Sequence, residues 1–302
     1  MVSLNDNLKA SGMFIGMVIG AGFFSLPYAI SKSGLIWGAV HFILAFIITS
    51  TLHLFYGIIS FHIPERHRFT GYVKTILGKK AEKIALVNTV LSYYGSFLVY
   101  SILGGFFLSN IFPGISSIKL SSVFLIFSSL LIFVSFNKIS RFNFYLTAAL
   151  LISIVLVMVF NYRFIDLKNF YALGESSAYY LLFPYGIFIF SMSGFSVIPE
   201  ITDFFKKKSG KNTSLSQFSN FRKVIKISEI LIAVFYFIFI FSIIGVLGTS
   251  ASENIFKVMK NLTGEPSVIL LSVVGFLAVL TSFLALQEDF KNILVLDYKI
   301  SL

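Results

Sequence analysis

Gly16-Met-Val-Ile-Gly-Ala-Gly-Phe-Phe-Ser-Leu-Pro27 is the stretch whose reading decides the fold. It lies inside an apolar run long enough to cross a bilayer. It nevertheless holds three glycines, a serine and a proline, residues that weaken a helix. A helix broken in lipid leaves backbone N–H and C=O groups without partners. Such a break is tolerated only where it is packed in protein or faces a polar cavity. Two readings stand open: a binding site built from a broken helix, and a glycine-rich contact that lets two helices approach closely.

Composition sets the bounds. Of 302 residues, 57% are hydrophobic and 12% charged, with a mean hydropathy of +0.89. A soluble domain carries about 25% charged residues, so this is an integral membrane protein. There is no cysteine, which excludes disulfides, thiol catalysis and thiolate metal sites. His41, His53, His62 and His67 show no metal-ligand spacing. The 37 phenylalanines read as lipid-facing and core filler. No basic n-region or cleavage site marks a leader, so the first span is expected to be retained.

A span needs about 20 mostly apolar residues, and eight are expected. They are Ala10–Ile30, Leu35–His62, Ile84–Ile111, Leu120–Phe136, Phe142–Tyr162, Tyr179–Phe204, Ile227–Leu247 and Pro266–Leu286. Basic loops are expected at Pro64–Lys83 and Phe205–Lys226, and a short polar connection at Asn137–Arg141. Phe69–Lys83 reads as a short cytoplasmic helix lying along the membrane, and Gln287–Leu302 as too mixed and short to span. With the N-terminus inside, 18 of the 24 Lys and Arg fall in inside segments and 6 outside. That split places both termini in the cytoplasm. It also accounts for the net charge of +11 without nucleic acid.

The sixth span repeats the first in miniature. Gly22-Phe23-Phe24-Ser25-Leu26-Pro27 and Gly194-Phe195-Ser196-Val197-Ile198-Pro199 both read Gly-Phe, three residues, Pro. The copies lie five spans apart, counted start to start, so they run in opposite directions across the membrane. An inverted repeat of five helices has this property, and its two broken helices meet near the bilayer midplane. The expected division is residues 1–162 for the first repeat and 179–302 for the second, within one transmembrane domain. The pairing has a chemical meaning. A half-helix N-terminus exposes N–H donors and attracts a carboxylate, and a half-helix C-terminus exposes carbonyls that suit an ammonium or a hard cation. Two adjacent breaks can hold both ends of a zwitterion without a buried charged side chain.

These residues, with Gly71-Tyr72 and Leu77-Gly78-Lys79, resemble the amino acid–polyamine–organocation superfamily, in its amino acid/auxin permease or aromatic amino acid permease branch. The resemblance covers nearly the whole chain. It implies an all-α, LeuT-type inverted-repeat bundle and secondary transport of amino acids by alternating access, in the cell (inner) membrane. Carried over by position, the amides of Ala21 and Gly22 would bind the substrate carboxylate. The carbonyls of Val18 and Phe190, with the hydroxyls of Ser193 and Ser191, would take the amino group. Gly20 and Gly194 would leave room for the substrate. Tyr100 would cover the site, with Tyr93 and Tyr94 as rivals or all three as packed aromatics. Ala278-Val279-Leu280-Thr281-Ser282 is similar to the sodium-binding stretch of sodium-coupled LeuT-fold transporters. A sodium ion would then be held by the hydroxyls of Thr281 and Ser282 and the carbonyls of Gly16, Ile19 and Ala278. The coupling ion is Na+ or H+, and no other cofactor is expected.

Ionisable residues within spans are functional suspects. Glu200 reads as a gate, a proton site or a solvated helix end; Glu229 as interfacial; and His41 and His53 as packed polar residues. No carboxylate pair, Ser/His/Asp set or metal cluster supports an enzyme. The LeuT-type core has ten helices, whereas five are expected in the first repeat here and three in the second. The expectation is a fragment of a longer permease. A separate chain supplying the rest, and a non-transporting amino-acid sensor or scaffold, are the alternatives.

Overall fold

The glycine-rich run breaks as its sequence demands. In the computed structural model, helix α1 (Leu4–Val18) stops at Ile19-Gly20, a 3-10 turn follows at Ala21–Ser25, and α2 (Leu26–Ser33) resumes. The arms Asp6–Val18 and Ala21–Ser33 meet at 51°. Gly20 takes an extended conformation that no helix can continue through. Pro27 sits in the first turn of α2, where its missing N–H has no intrahelical partner to lose.

The structure describes residues 4–134, 136–171, 173–174, 179–208, 214–251 and 255–300, and among these every regular element is helical. The remaining helices are α3 (Leu35–His62), α4 (Phe69–Leu77), α5 (Lys79–Ile111), α6 (Ser117–Leu130), α7 (Phe136–Asn161), α8 (Tyr179–Ser191), α9 (Ile198–Lys208), α10 (Ser214–Leu247), α11 (Ile255–Thr263) and α12 (Glu265–Asn292). Among the described residues six helical segments are long and apolar enough to cross a membrane, and the bent pair α1–α2, taken as one span, makes a seventh. The remaining apolar segment, Ser117–Phe133, falls short of that length, so the expected count of eight spans is met only in part.

Several loop expectations are corrected. Asn137–Arg141 lies inside α7, because nothing there breaks a helix and Ile139 packs inward. The turn comes earlier, at the 3-10 segment Leu131–Phe133, where Lys291 Nζ donates to the Ile132 carbonyl at 2.9 Å. Most of Phe205–Lys226 is the end of α9 and the start of α10; residues 209–213 of that expected loop lie outside the described residues. Lys79–Lys83 open α5 rather than close α4. The joint between them is Gly78, at φ +82°, a conformation L side chains rarely adopt. The C-terminal stretch after Leu286 extends α12 to Asn292 and ends in a π-turn at Ile293–Asp297.

Helix α12 is the mast of the bundle. Of its most apolar stretch 67% is buried, against 22% for α3, which faces lipid on most sides. Helices α1, α5, α7 and α11 pack on it. The first broken helix is enclosed by α7, α10 and α12, and Thr147 Oγ1 of α7 donates to the Gly12 carbonyl at 3.2 Å. Asn161 Nδ2 joins Ser242 Oγ at 3.0 Å and ties α7 to α10 in a buried setting.

The short helix α4 is held by the far end of the chain. The Asp297 carboxylate accepts from the backbone amides of Arg68 and Gly71 (3.2 and 2.8 Å) and from Thr70 Oγ1 (2.7 Å). It sits at the α4 N-terminus, where orphan amides and the helix dipole both favour an anion. Asp297→Ala is expected to cost about 1–3 kcal/mol, seen as a lower melting temperature in detergent and faster hydrogen exchange confined to α4. Unchanged exchange there would show that α4 is held by other contacts.

Candidate functional site

The second break falls where the sequence repeats the first. Helix α8 ends at Ser191, Met192–Gly194 are non-helical, a 3-10 turn spans Phe195–Val197, and α9 begins at Ile198. The two breaks touch, and each uses a glycine to do so. A Cβ on Gly22 would stand 2.8 Å from the Phe190 ring and 3.0 Å from Ser191 Oγ. A Cβ on Gly194 would stand 2.7 Å from Val18 Cγ2 and 2.8 Å from the Phe14 ring. A Cβ at either position would force these side chains to shift for the two breaks to stay this close.

Tyr236 of α10 joins the two ends. Its buried hydroxyl lies 3.0 Å from the Val18 carbonyl and 2.5 Å from the Ser191 carbonyl, the last carbonyls of α1 and α8. Such terminal carbonyls have no intrahelical donor, and one phenolic proton faces both. Nothing local in the sequence marked Tyr236. It was one of several polar residues in that span, beside Ser228, Glu229 and Ser242.

The expected substrate residues are gathered here. Val18, Gly20, Ala21, Gly22, Phe190, Ser191, Ser193 and Gly194 all lie in or beside the touching breaks. The first amides of the Ala21–Ser25 turn, those of Ala21 and Gly22, lack intrahelical partners by the geometry of a helix start. Three expected groups are already engaged: the Val18 carbonyl accepts from the Gly20 amide at 2.8 Å as well as from Tyr236, the Phe190 carbonyl accepts from the Ser193 amide at 3.2 Å, and the Ser191 hydroxyl donates to Ile187 of its own helix at 2.7 Å. Of the three tyrosines weighed, Tyr100 is the one whose hydroxyl faces Gly20 and Ser282. Tyr93 instead donates to Asp289, and Tyr94 is exposed.

The expected sodium set is brought together in part. Ser282 Oγ donates to the carbonyls of Gly16 and Met17 at 3.2 and 3.0 Å, so α12 and the end of α1 meet where expected. Thr281 is turned to its own helix, at 2.9 Å from the Leu277 carbonyl and 3.0 Å from that of Ala278. Ile19 is buried one turn beyond Gly16. Hydroxyls and carbonyls are the right donors for a hard cation, and two pairs of the expected five oxygens, Ser282 with Gly16 and Thr281 with Ala278, lie within hydrogen-bond distance of each other.

Two acidic residues are also reassigned. Glu229 is buried rather than interfacial: Ser50 Oγ donates to its Oε2 at 2.5 Å, and His53 Nδ1 lies 2.9 Å from its Oε1. Glu200 is buried against Arg68, at 2.8 Å from Nε, which removes the solvated helix-end reading. Arg68 is 1% exposed and also meets Asp203 at 3.0 Å and Asp289 at 3.4 Å. Burial pulls its guanidinium pKa down, but Glu200, Asp289 and Asp203 outweigh burial and hold it above its ordinary value. Beyond this cluster, on the side where the basic segments gather, opens a cavity of about 990 Å3 edged by Arg66, Arg141, Asp203 and Lys207.

Tyr236→Phe removes the shared donor, leaving the Ser191 carbonyl facing a ring and the Val18 carbonyl with the Gly20 amide alone. A loss of about 1–3 kcal/mol in stability is expected, together with faster hydrogen exchange at the two breaks. A variant as stable as the parent would show that the carbonyls find other donors.

The comparisons with known proteins agree with this geometry. Residues 6–289 match the family described as "Transmembrane amino acid transporter protein". A stretch of 109 residues is 29% identical to "Vacuolar amino acid transporter 2" of Saccharomyces cerevisiae, covering 34% of this chain and 22% of that protein. The fold is similar to that of Mhp1, a nucleobase-cation-symport-1 family transporter, solved in a closed conformation with bromovinylhydantoin bound. That likeness has a TM-score of 0.65 at 13% identity, over 97% of this chain and 66% of Mhp1. The chain thus spans about two thirds of the solved transporter and a smaller part of the curated relative. It is an all-helical, multi-pass membrane protein with the LeuT-type fold, not an enzyme, and it belongs to the transmembrane amino acid transporter family.

Proposed function

We propose that this chain carries the substrate site of a secondary active amino acid transporter that works by alternating access, and that the substrate is held between the two helix breaks. The reciprocal glycine contact at Gly22 and Gly194 is the observation that carries this reading. It sets the amides of the Ala21–Ser25 turn beside the terminal carbonyls of α1 and α8. A donor-rich end and an acceptor-rich end a few ångströms apart match the carboxylate and ammonium of a free α-amino acid. In this reading the amides of Ala21 and Gly22 take the carboxylate. The carbonyls of Val18 and Phe190 and the Ser193 hydroxyl take the ammonium, and Tyr100 covers the site from α5. A carbonyl oxygen has two lone pairs, so the Val18 and Phe190 carbonyls can accept from an arriving ammonium beside their backbone donors.

Movement of the two broken helices relative to α12 would open the site to one side and then the other. The Arg68 cluster, which joins α9 and α12 to the segment before α4, stands at the mouth of the cavity and would part when that side opens. With Ser117–Phe133 taken as the eighth crossing, the loop charges favour that mouth and both termini in the cytoplasm of a cell whose inner membrane the chain crosses. Transport is symport with a proton or sodium, and the partners are the amino acid and the lipid bilayer.

The test is amino acid binding to the purified chain in nanodiscs. Gly22→Ala puts a methyl against Phe190 and Ser191, and affinity is expected to fall about tenfold or more, the size of an overpacking penalty of 1–3 kcal/mol. Gly186→Ala, with open space around its Cβ, is the control and is expected to bind as the parent does. Equal binding by both variants would place the substrate elsewhere. Binding by the parent without exchange across a membrane would favour a sensor over a transporter.

A further inference from the structure

His53 forms a buried relay that neither the substrate site nor the Arg68 cluster uses. Its ring is 1% exposed in the middle of α3. Nε2 accepts from the Gly194 amide at 2.9 Å, and Nδ1 lies 2.9 Å from Glu229 Oε1 on α10. An amide N–H can only donate, so Nε2 bears no proton, and the ring is the neutral tautomer protonated at Nδ1. Ser50 Oγ donates to the other Glu229 oxygen, so both oxygens of that carboxylate accept. The edge of Phe14 and the ring of Phe195 close over the imidazole, with centroids 5.1 and 5.0 Å away. A buried carboxylate thus faces an imidazole whose other nitrogen is occupied by an amide, under an apolar lid, a setting in which an unpaired charge is costly.

We propose that His53 and Glu229 are the proton-binding site that couples this protein to a proton gradient, acting on the substrate site through the Gly194 amide. This rests on the transport reading above and names its coupling ion. An incoming proton binds the Nε2 lone pair and converts the pair to imidazolium and carboxylate, which are neutral overall. Nε2 then becomes a donor and repels the Gly194 N–H that it had accepted. Gly194 is the last residue of the second break before the 3-10 turn, and it packs on Phe14 and Val18 of the first. One protonation therefore frees a backbone donor at the point where both broken helices meet. On release the proton leaves Nε2 and the amide bond re-forms.

The other charged groups near the pair are committed elsewhere. On α10, Lys226 precedes Glu229 by about one turn and is exposed. On α9, Glu200 is held by Arg68. On α1, Asp6 and Lys9 line the cavity at the basic end. On α2, Lys32 lies over the rings of Tyr28 and Tyr180. On α3 itself, Tyr56 packs against Phe195 and Tyr72, and α8 brings tyrosines only.

The test has two arms, both on the full chain. In nanodiscs without substrate, 15N spectra of His53 and Gly194 are followed between about pH 5 and 8. The expected result is that Nε2 gains a proton and the Gly194 amide shifts at the same pH. His53→Gln keeps one acceptor and one donor but cannot titrate, and should make the Gly194 shift independent of pH. In proteoliposomes, a gradient of one pH unit should drive about tenfold accumulation of amino acid for one proton per substrate, and His53→Gln should abolish it. A His53 that keeps the Nδ1 tautomer throughout, or a Gly194 amide indifferent to its titration, overturns the proposal. So does His53→Gln accumulation equal to the parent's. Titration as described in a parent that moves no amino acid supports the proton site and overturns the transport reading instead.

Discussion

A backbone polar group in lipid must find its partner inside the protein. That constraint governs this structure, because the chain interrupts two of its membrane helices and must cover every group thereby exposed. The cover is specific. Tyr236 lies under the last carbonyls of α1 and α8, Ser282 reaches the carbonyls of Gly16 and Met17, and His53 accepts from the Gly194 amide. Each partner comes from a different unbroken helix, α10, α12 and α3. These three form the rigid frame and the broken pair forms the site.

The same constraint links the site to the basic side of the membrane. Helix α9 starts at the second break and carries Glu200 and Asp203 to Arg68; α12 carries Ser282 to the first break and Asp289 to the same arginine. A guanidinium shared among three buried carboxylates is stable only while all the elements that bring them stay together, since removing one partner leaves an uncompensated charge. Motion of either broken helix is therefore felt at Arg68, and α4, held by Asp297, fixes the segment that bears it.

Much of this was legible in the residues, and what was not has a common cause. Helix α3 runs from Leu35 to His62 as its apolar run predicts, and both breaks fall at their glycines, because periodicity and helix breakers are local signals. Asn137–Arg141 misled because polar residues at the end of a membrane helix have the composition of a loop. Short 3-10 turns and the reach of α9 and α10 beyond their apolar cores escaped for the same reason. Tyr236, His53 and Glu229 escaped differently. His53 and Glu229 are 176 positions apart, and Tyr236 is 218 from Val18, so their pairing exists only in the fold. Each read alone as a packed polar residue or an interfacial charge, and only the broken backbone between them gives them a role.

The central claim is that the two breaks together recognise both ends of a free amino acid. Equilibrium binding to the purified full chain, comparing amino acids with their N-acetylated and decarboxylated counterparts, tests it most directly. The account predicts that the zwitterions bind and that blocking the amine or removing the carboxylate each costs at least about tenfold in affinity, the loss of a charge-assisted hydrogen bond worth about 1.5–3 kcal/mol. An analogue lacking either end that binds as well as its parent amino acid would contradict it.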